Sequence, residues 1–252
     1  MLIMSSLLWV KLALRSIAET MNKGLFSRVE IERVLYSLPK DLANQYSFIL
    51  DRIPNRRLSE AMNILEWISF TFRPLSCQEF VEAVEPPGLG SGIELSPTNA
   101  HRRAGQVVDL VFGLVKVRND QVLLVHDTVR DFLMFGQHLM TLHPLHAHQQ
   151  ILSTCFEALL EEPDVKRPAF FNYAAEFWGR HFQEVGRLAG GNSPPSFLDA
   201  LAKLFDDNHP EFFLRWLRRY DPLNPKAGSQ PEKRLEDFPS QHVYMNFIRA
   251  NL

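Results

Sequence analysis

The fold is decided by the stretch LVKVRNDQVLLVHDTVRDFL, residues 114–133. Its first part holds two apolar, β-branched runs, separated by the turn-forming pair Asn119 and Asp120. Two such runs joined by two turn residues indicate a β-hairpin. After His126 and Asp127, the apolar residues follow helical spacing instead. The stretch therefore predicts a hairpin that leads directly into a helix.

Short amphipathic segments precede this hairpin, and each has helical spacing. They are KDLANQYSFILDRIP (residues 40–54), RRLSEAMNILEWISFTF (56–72), SCQEFVEAV (76–84) and NAHRRAGQVVDLVFG (99–113). In the third segment, Ser76 is followed three residues later by Glu79, the spacing of a capping box. Helices followed by a hairpin, in this order, are typical of a winged helix.

Further helical patterns follow the hairpin. The segment RPAFFNYAAEFWGRHF (residues 167–182) carries an apolar and aromatic stripe typical of a buried helix face, formed by Phe170, Ala174, Phe177, Trp178 and His181. PPSFLDALAKLFDD (194–207) and PEFFLRWLRRY (210–220) predict two more short helices. The predicted fold is mainly α: a helical segment over residues 1–56, a winged helix with one short β-hairpin over 57–138, and a C-terminal helical region with a polar tail over 139–252.

Composition limits the classes of function. The chain has 252 residues, is 46% hydrophobic and carries a formal net charge of −2, which is typical of a soluble globular protein. It lacks the basic excess with which proteins bind nucleic-acid backbones. Cys77 and Cys155 lie far apart in apolar helical segments, and we interpret them as buried free thiols in a reducing compartment. We therefore expect a cytoplasmic protein, and the composition argues against nucleic acid as its partner.

The first twenty residues, MLIMSSLLWVKLALRSIAET, are apolar but do not fit a targeting sequence. They have no basic region at the start and no cleavage site, and Lys11 interrupts the apolar run. The run is also too short and too charged to span a membrane. A buried helix fits better, and its packing partners would lie upstream. We therefore expect the chain to be part of a longer protein, or a truncated relative of one.

Motifs for catalysis or metal binding are absent from the sequence. There is no G-x-x-x-x-G-K-[ST] phosphate loop and no G-x-S-x-G nucleophile elbow. His143, His146 and His148 lie close in sequence, but no Cys, Asp or Glu completes a ligand set. The pairs Glu60 with Glu66 and Asp206 with Asp207 are interpreted as solvated helix faces. We predict a protein that is not an enzyme, with no catalytic residues and no metal site.

Five segments together resemble a known family. They are LLWVKLALRSI (7–17), VLYSLPKDLANQYSFILDRIP (34–54), RPLSCQEFVEAV (73–84), VLLVHDTVRDFL (122–133) and FNYAAEFWGRHF (171–182). In this order they resemble the region that follows the NACHT nucleotide-binding core in fungal NLR-like proteins of the STAND NTPase class. That region includes the winged-helix domain of the type found in GPI inositol-deacylase-like proteins. The resemblance covers residues 7–182.

The resemblance implies a non-catalytic regulatory role in signalling. The chain would relay nucleotide state between a NACHT core and a downstream sensor of ankyrin, WD40 or TPR repeats, in cis or in trans, and could self-associate. Residues 1–56 would be a remnant of the NACHT-associated helical domain. No cofactor is implied for this chain alone, whereas a full-length parent would bind ADP or ATP. No membrane partner is implied.

The resemblance also assigns roles to two residues. The family's winged helix ends in a Met-His-Asp motif whose His approaches the β-phosphate of ADP, and Val125, His126 and Asp127 occupy the matching place, with Val instead of Met. His126 would thus contact an ADP phosphate when a NACHT core is present, and Asp127 would cap the next helix and orient the ring. The residues alone leave a second interpretation open, in which His126 is a structural histidine beside an Asp N-cap.

Two other functions remain as alternatives. The chain could be a stand-alone, truncated helical module for protein interactions. It could also bind DNA through the third helix of the winged helix, residues 99–113, which offers His101, Arg102 and Arg103 at one end. That helix then becomes apolar, as a buried helix does, which argues against DNA binding.

Overall fold

The computed structural model describes residues 41–85, 97–136, 138–160, 168–191, 194–206, 208 and 210–219, together with the isolated positions 10, 14 and 18. The helices in these parts are α1 (Leu42–Leu50), α2 (Leu58–Phe70), α3 (Cys77–Val84), α4 (Pro97–Val108), α5 (Thr128–Phe135), α6 (Pro144–Leu160), α7 (Phe170–Leu188), α8 (Pro195–Leu204) and α9 (Pro210–Arg219). The strands are β1 (Leu75–Ser76), β2 (Val115–Arg118) and β3 (Gln121–Leu124). The prediction of a mainly α fold with a short β-hairpin is confirmed.

The hairpin forms where the sequence predicted it. β2 and β3 are antiparallel, and Arg118 lies opposite Gln121 across the turn. Asn119 and Asp120 both have positive φ, 51° and 59°, as the two central residues of a type I′ turn require. Asn and Asp tolerate this left-handed conformation better than other residues with a side chain.

The sheet also contains a strand that the sequence analysis missed. β1 pairs antiparallel with β3, with Leu75 opposite Val122, so the sheet order is β1-β3-β2. A two-residue strand carries no alternation that a sequence could reveal. Its presence completes the order α2, β1, α3, α4, β2, β3, which is the connectivity of a winged helix.

The third helix of this unit is shorter than predicted. α4 ends at Val108 rather than Gly113, and a 3-10 turn follows over Asp109–Val111. Phe112 (φ 45°) and Gly113 (φ 87°) then adopt left-handed conformations. Two consecutive left-handed residues end the helix and turn the chain into β2.

Local side chains define the starts of α1 and α3. The Asn44 amide donates to Asp41 Oδ1 at 2.9 Å. The predicted capping box is confirmed: the Glu79 amide donates to Ser76 Oγ (3.2 Å), and the Ser76 amide donates to Glu79 Oε2 (2.8 Å). Arg73 Nη2 donates to the other carboxylate oxygen of Glu79 at 2.7 Å. This hydrogen bond holds the segment before β1 against α3.

The hydrophobic core is continuous from α1 to α9, and Cys77 and Cys155 lie buried in it as free thiols, as expected. Helices α6 and α7 share the most extensive helix–helix contact in the core. The predicted apolar and aromatic stripe of α7 is buried along its whole length. Phe72 joins the winged-helix part to this pair, because its ring packs against His148, Phe177 and His181. The domain boundaries given above remain predictions.

Several predicted features lie outside the described residues. They are most of the N-terminal helix, the glycine-containing loop of residues 86–96, Asp207 and the tail after residue 219. Among the helices that the structure does describe, none combines the length and the apolar character that crossing a membrane requires.

Candidate functional site

The predicted site lies where β3 passes into α5. β3 ends at Leu124, and α5 begins at Thr128. The Val129 amide donates to the His126 carbonyl oxygen at 3.1 Å, which forms the first turn of the helix. His126 is half-buried in this corner, whereas Asp127 is exposed.

The helix cap at this corner differs from the prediction. Asp127 stands directly before α5, but its carboxylate accepts no cap hydrogen bond, so the capping role predicted for it is wrong. Its backbone is already helical (φ −64°, ψ −28°), whereas a capping side chain reaches back best from an extended residue. The Thr128 amide instead donates to His126 Nδ1 at 3.2 Å. The imidazole therefore caps the helix.

This cap fixes which ring nitrogen of His126 carries the proton. Nδ1 accepts from the backbone, so the hydrogen-bond network assigns the proton to Nε2. The Thr128 hydroxyl lies 3.0 Å from Nδ1 and 2.8 Å from the Tyr46 hydroxyl, so the corner is linked to α1. Burial raises the pKa of Tyr46, which keeps that hydroxyl protonated. Among the described residues, Nε2 has no hydrogen-bond partner.

The cap gives a stability prediction for the isolated chain. His126→Ala should lower the free energy of unfolding by about 0.5 to 2 kcal/mol, because the Thr128 amide loses its acceptor. Asp127→Ala should change it by less than about 0.5 kcal/mol, because the exposed carboxylate caps nothing. His126→Asn should restore most of the loss, because an Asn side-chain oxygen can accept at a helix start. Urea unfolding at neutral pH measures all three, and a larger loss for Asp127→Ala than for His126→Ala would contradict this assignment.

His143, His146 and His148, which are close in sequence, do not form a cluster in the structure. His146 Nδ1 lies 3.1 Å from Glu66 Oε2, His148 is buried, and His143 is exposed. Glu66 is buried, so its interpretation as a solvated residue is wrong: α6 packs over that face of α2. Glu60 is exposed as expected and pairs with Arg57.

A buried network that the sequence analysis missed lies between α6 and α7. The Phe72 amide donates to the Tyr173 hydroxyl (3.1 Å), which lies 2.8 Å from His181 Nε2. His181 Nδ1 lies 2.9 Å from His148 Nδ1. The Tyr173 hydroxyl, His181 and His148 thus form one hydrogen-bonded chain, in which the tautomers of the two histidines set the donor and acceptor roles. Burial lowers the pKa of His148, and it lowers that of His181 well below its usual range.

A second group that the sequence analysis missed lies beside the hairpin turn. Cys77 begins α3, His101 lies in α4, and Asp120 lies in the turn between β2 and β3. Their donor atoms, the Cys77 sulfur, a His101 ring nitrogen and an Asp120 carboxylate oxygen, all lie within 4.8 Å of one another. The residues are 24 and 19 positions apart in sequence, so no local spacing could reveal the group.

The arrangement does not activate Cys77 as a nucleophile. Burial raises the pKa of its thiol to about 12, and the neighbouring Asp120 carboxylate adds to the effect. A nucleophilic triad needs the carboxylate behind the histidine, where it stabilises an imidazolium that in turn activates the nucleophile. Here the carboxylate faces the thiol itself, so it opposes the thiolate.

The basic end of α4 is only partly available for a ligand. Arg103 Nε donates to Glu85 Oε1 at 2.6 Å, so this guanidinium is already paired. His101 contacts Cys77, and Arg102 is exposed. The charge that α4 could offer to a DNA backbone is reduced accordingly.

Comparison with known proteins gives one distant relative. No family model matches the chain, and no solved structure matches it significantly. The chain is 24% identical over 247 residues to the azaphilone pigments biosynthesis cluster protein L of Monascus ruber. The alignment covers 87% of this chain and 50% of that protein, so the chain spans about half the length of the curated relative it matches.

Proposed function

We propose that the chain is a non-catalytic regulatory segment that relays nucleotide state from a NACHT core to a downstream repeat sensor. The observation that carries the proposal is the His126 corner, in which Nδ1 is held inside the fold and Nε2 keeps a proton to donate. Such a donor beside a helix start suits a phosphate, because the positive end of the helix dipole favours an anion there. The proposed site of action is the cytoplasm.

The contacts of α5 support a relay role. At its start, Thr128 is hydrogen-bonded to Tyr46 of α1, and beyond its end, His138 Nε2 lies 3.2 Å from Asp51 Oδ1. Val129 of α5 is fully buried in the core. A ligand at His126 would therefore act on a helix that is tied at both ends to the N-terminal helical segment. Rigid-body movement of such a unit is a common form of switching.

Exposed apolar side chains near the end of α5 support a protein partner. Phe135 is 81% exposed and Leu139 is fully exposed. Large apolar side chains exposed this close together in sequence suit a contact with a protein partner. In the proposal, this surface contacts the NACHT core in the closed state. It also favours the second candidate, a stand-alone interaction module, which would use the same surface without nucleotide.

The test uses a polypeptide that joins this chain to a NACHT core encoded upstream in frame. His126→Asn should weaken ADP binding about ten- to a hundredfold, because a charge-assisted hydrogen bond contributes about 1.5 to 3 kcal/mol. The helix cap stays in place in this variant, so the loss reports the phosphate contact and not a damaged fold. Release of fluorescent ADP measures it.

Two controls separate the candidates. Asp127→Ala should leave ADP affinity unchanged, and the chain without a core should bind no nucleotide in calorimetry, because it lacks a phosphate loop. Equal ADP affinity in the joined protein with and without His126→Asn would contradict the proposed contact. If no in-frame core exists and no NACHT core binds the chain in trans, the stand-alone module replaces the proposal.

A further inference from the structure

Three donor side chains of different chemistry converge beside the hairpin turn. The Cys77 sulfur lies 3.7 Å from His101 Nδ1, and the Asp120 carboxylate lies within 4.8 Å of both donor atoms. Elsewhere in the parts of the chain that the structure describes, no three Cys, His or acidic donors come this close. A thiol, an imidazole and a carboxylate are the protein ligands that zinc uses.

The observed spacing suits a tetrahedral ion. With Zn–S near 2.3 Å and Zn–N near 2.05 Å, a tetrahedral angle places the sulfur and nitrogen about 3.6 Å apart. The Cys77 and His101 atoms are separated by 3.7 Å without any movement. Asp120 is exposed, so its carboxylate can approach the same point by rotating about its side-chain bonds.

The backbone holds the three residues in place independently of any ion. The Cys77 amide donates to the Asp120 carbonyl oxygen at 3.0 Å, which fixes the hairpin turn against the start of α3. Ala104, in the helical turn after His101, is fully buried, which anchors α4 beside α3. The scaffold thus brings the three residues together without an ion, although the exposed Asp120 side chain still has to turn toward it.

We propose that Cys77, His101 and Asp120 bind one zinc ion, with water as the fourth ligand. On binding, the Cys77 S–H bond breaks, its proton passes to solvent and the thiolate sulfur bonds to the ion. The soft thiolate favours zinc over magnesium or calcium, which prefer oxygen ligands. The ion would join α3, α4 and the hairpin turn, and this inference is independent of the proposed nucleotide relay.

The competing explanation assigns each residue a local role. In it, the Cys77 thiol donates a hydrogen bond to His101, and Asp120 is present because the turn favours Asn or Asp at positive φ. Asp120→Asn distinguishes the two explanations. Asparagine keeps the left-handed turn but is a far weaker zinc ligand than a carboxylate.

The experiment titrates Co²⁺ and then competing Zn²⁺ into the full chain, freed of metal with a chelator and kept reduced with a phosphine. We expect one ion per chain and a thiolate-to-cobalt charge-transfer band. A residue that only hydrogen-bonds to a metal ligand contributes about 10- to 100-fold to metal affinity, so losing a ligand itself should cost at least tenfold. Asp120→Asn should therefore weaken binding at least about tenfold. Cys77→Ser should abolish the charge-transfer band.

The controls keep each outcome decisive. His143→Gln removes an exposed histidine outside the group and should change neither affinity nor spectrum. Circular dichroism of the metal-free variants shows whether they fold. If Cys77→Ser does not fold, the metal affinity of Asp120→Asn decides between the two explanations. No stoichiometric binding, a charge-transfer band that survives Cys77→Ser, or an affinity unchanged by Asp120→Asn would each overturn the proposal.

Discussion

Acidification from about pH 7.5 to about pH 5.5 is expected to destabilise the folded chain by up to about 3 kcal/mol through one buried histidine pair. His148 and His181 lie between α6 and α7, hydrogen-bonded to each other and, through His181, to Tyr173. In the folded chain their pKa values are lowered from 6.5, first by burial and then by nearby positive charge. In the unfolded chain, both regain ordinary values.

The sign of the effect follows from proton binding. As the pH falls below 6.5, the unfolded chain binds protons at both histidines before the folded chain does, because the folded pKa values are lower. Stability is therefore complete above the unfolded pKa and decreases as the pH falls toward the folded values. Between about pH 7.5 and about pH 5.5, a histidine that stays neutral in the folded chain removes at most about 1.4 kcal/mol of stability in total.

The charges around the pair act differently on its two members. After burial, His148 and then Arg180 lower the pKa of His181 further, whereas at His148 burial is opposed by Glu184, with a smaller lowering by Arg187. The neighbouring ring of Phe72 is apolar and contacts both imidazoles. Among the groups that influence the pair, Glu184 is the one that favours a charged imidazole, and it is half-buried at the edge of the site.

Urea unfolding at several pH values measures the effect. His181→Gln and His148→Gln should each reduce the pH dependence between these limits, because glutamine does not protonate, and His181→Gln should reduce it more, because the pKa of His181 is lowered further. The measured quantity is the slope of the unfolding free energy against pH, so the comparison is valid even if a variant is less stable at neutral pH. His143→Gln, an exposed control, should keep the full slope. Equal slopes in the parent chain and both buried variants would show that the pair does not control acid stability.

The sequence predicted those elements whose signals are local. Asn119 and Asp120 specified the hairpin turn, and Ser76 with Glu79 specified the start of α3, because turn and cap chemistry act over two to four residues. β1 was missed because two residues carry no periodicity. The Asp127 cap was wrong because sequence spacing does not reveal which residue adopts an extended backbone.

The candidate sites were harder to predict, because they depend on tertiary packing. His126 was found only because it lies inside the stretch that forms the corner. His148 gave no sign that it would meet His181, which lies 33 positions away in the next helix. Cys77, His101 and Asp120 come together only after the hairpin folds onto α3 and α4. Their ligand chemistry was visible in the sequence, but their proximity was not.

The cap of α7 is another contact that depends on tertiary structure. The residue before this helix is Ala169, which has no side chain to cap it. Glu82 of α3 supplies the acceptor instead: its Oε2 accepts from the amides of Ala169 and Phe170, both at 2.9 Å. Gln78 donates to its other oxygen at 3.1 Å. Glu82 of α3 thus holds the start of α7, the second described helix of the C-terminal region.

Glu82→Ala is therefore expected to lower the free energy of unfolding by about 1 to 4 kcal/mol. The loss combines a missing helix cap, about 0.5 to 2 kcal/mol, with a buried Phe170 amide left without an acceptor, about 1 to 3 kcal/mol. Burial also raises the pKa of Glu82, so its removal relieves a desolvation cost that partly offsets these terms.

Glu82→Gln is the matched variant for this prediction, because it keeps an acceptor oxygen and removes the charge. It should lose no more than about 1.5 kcal/mol, since a neutral acceptor makes a weaker hydrogen bond than a carboxylate but leaves no amide unpaired. Glu60→Ala, which removes an exposed carboxylate paired with Arg57, should lose less than about 1 kcal/mol. Urea unfolding at neutral pH gives all three values. Amide hydrogen exchange at Phe170 should also accelerate in Glu82→Ala but not in Glu60→Ala. If Glu82→Ala is no more destabilising than Glu60→Ala, solvent replaces the carboxylate at this helix start, and Glu82 does not hold the two parts of the fold together.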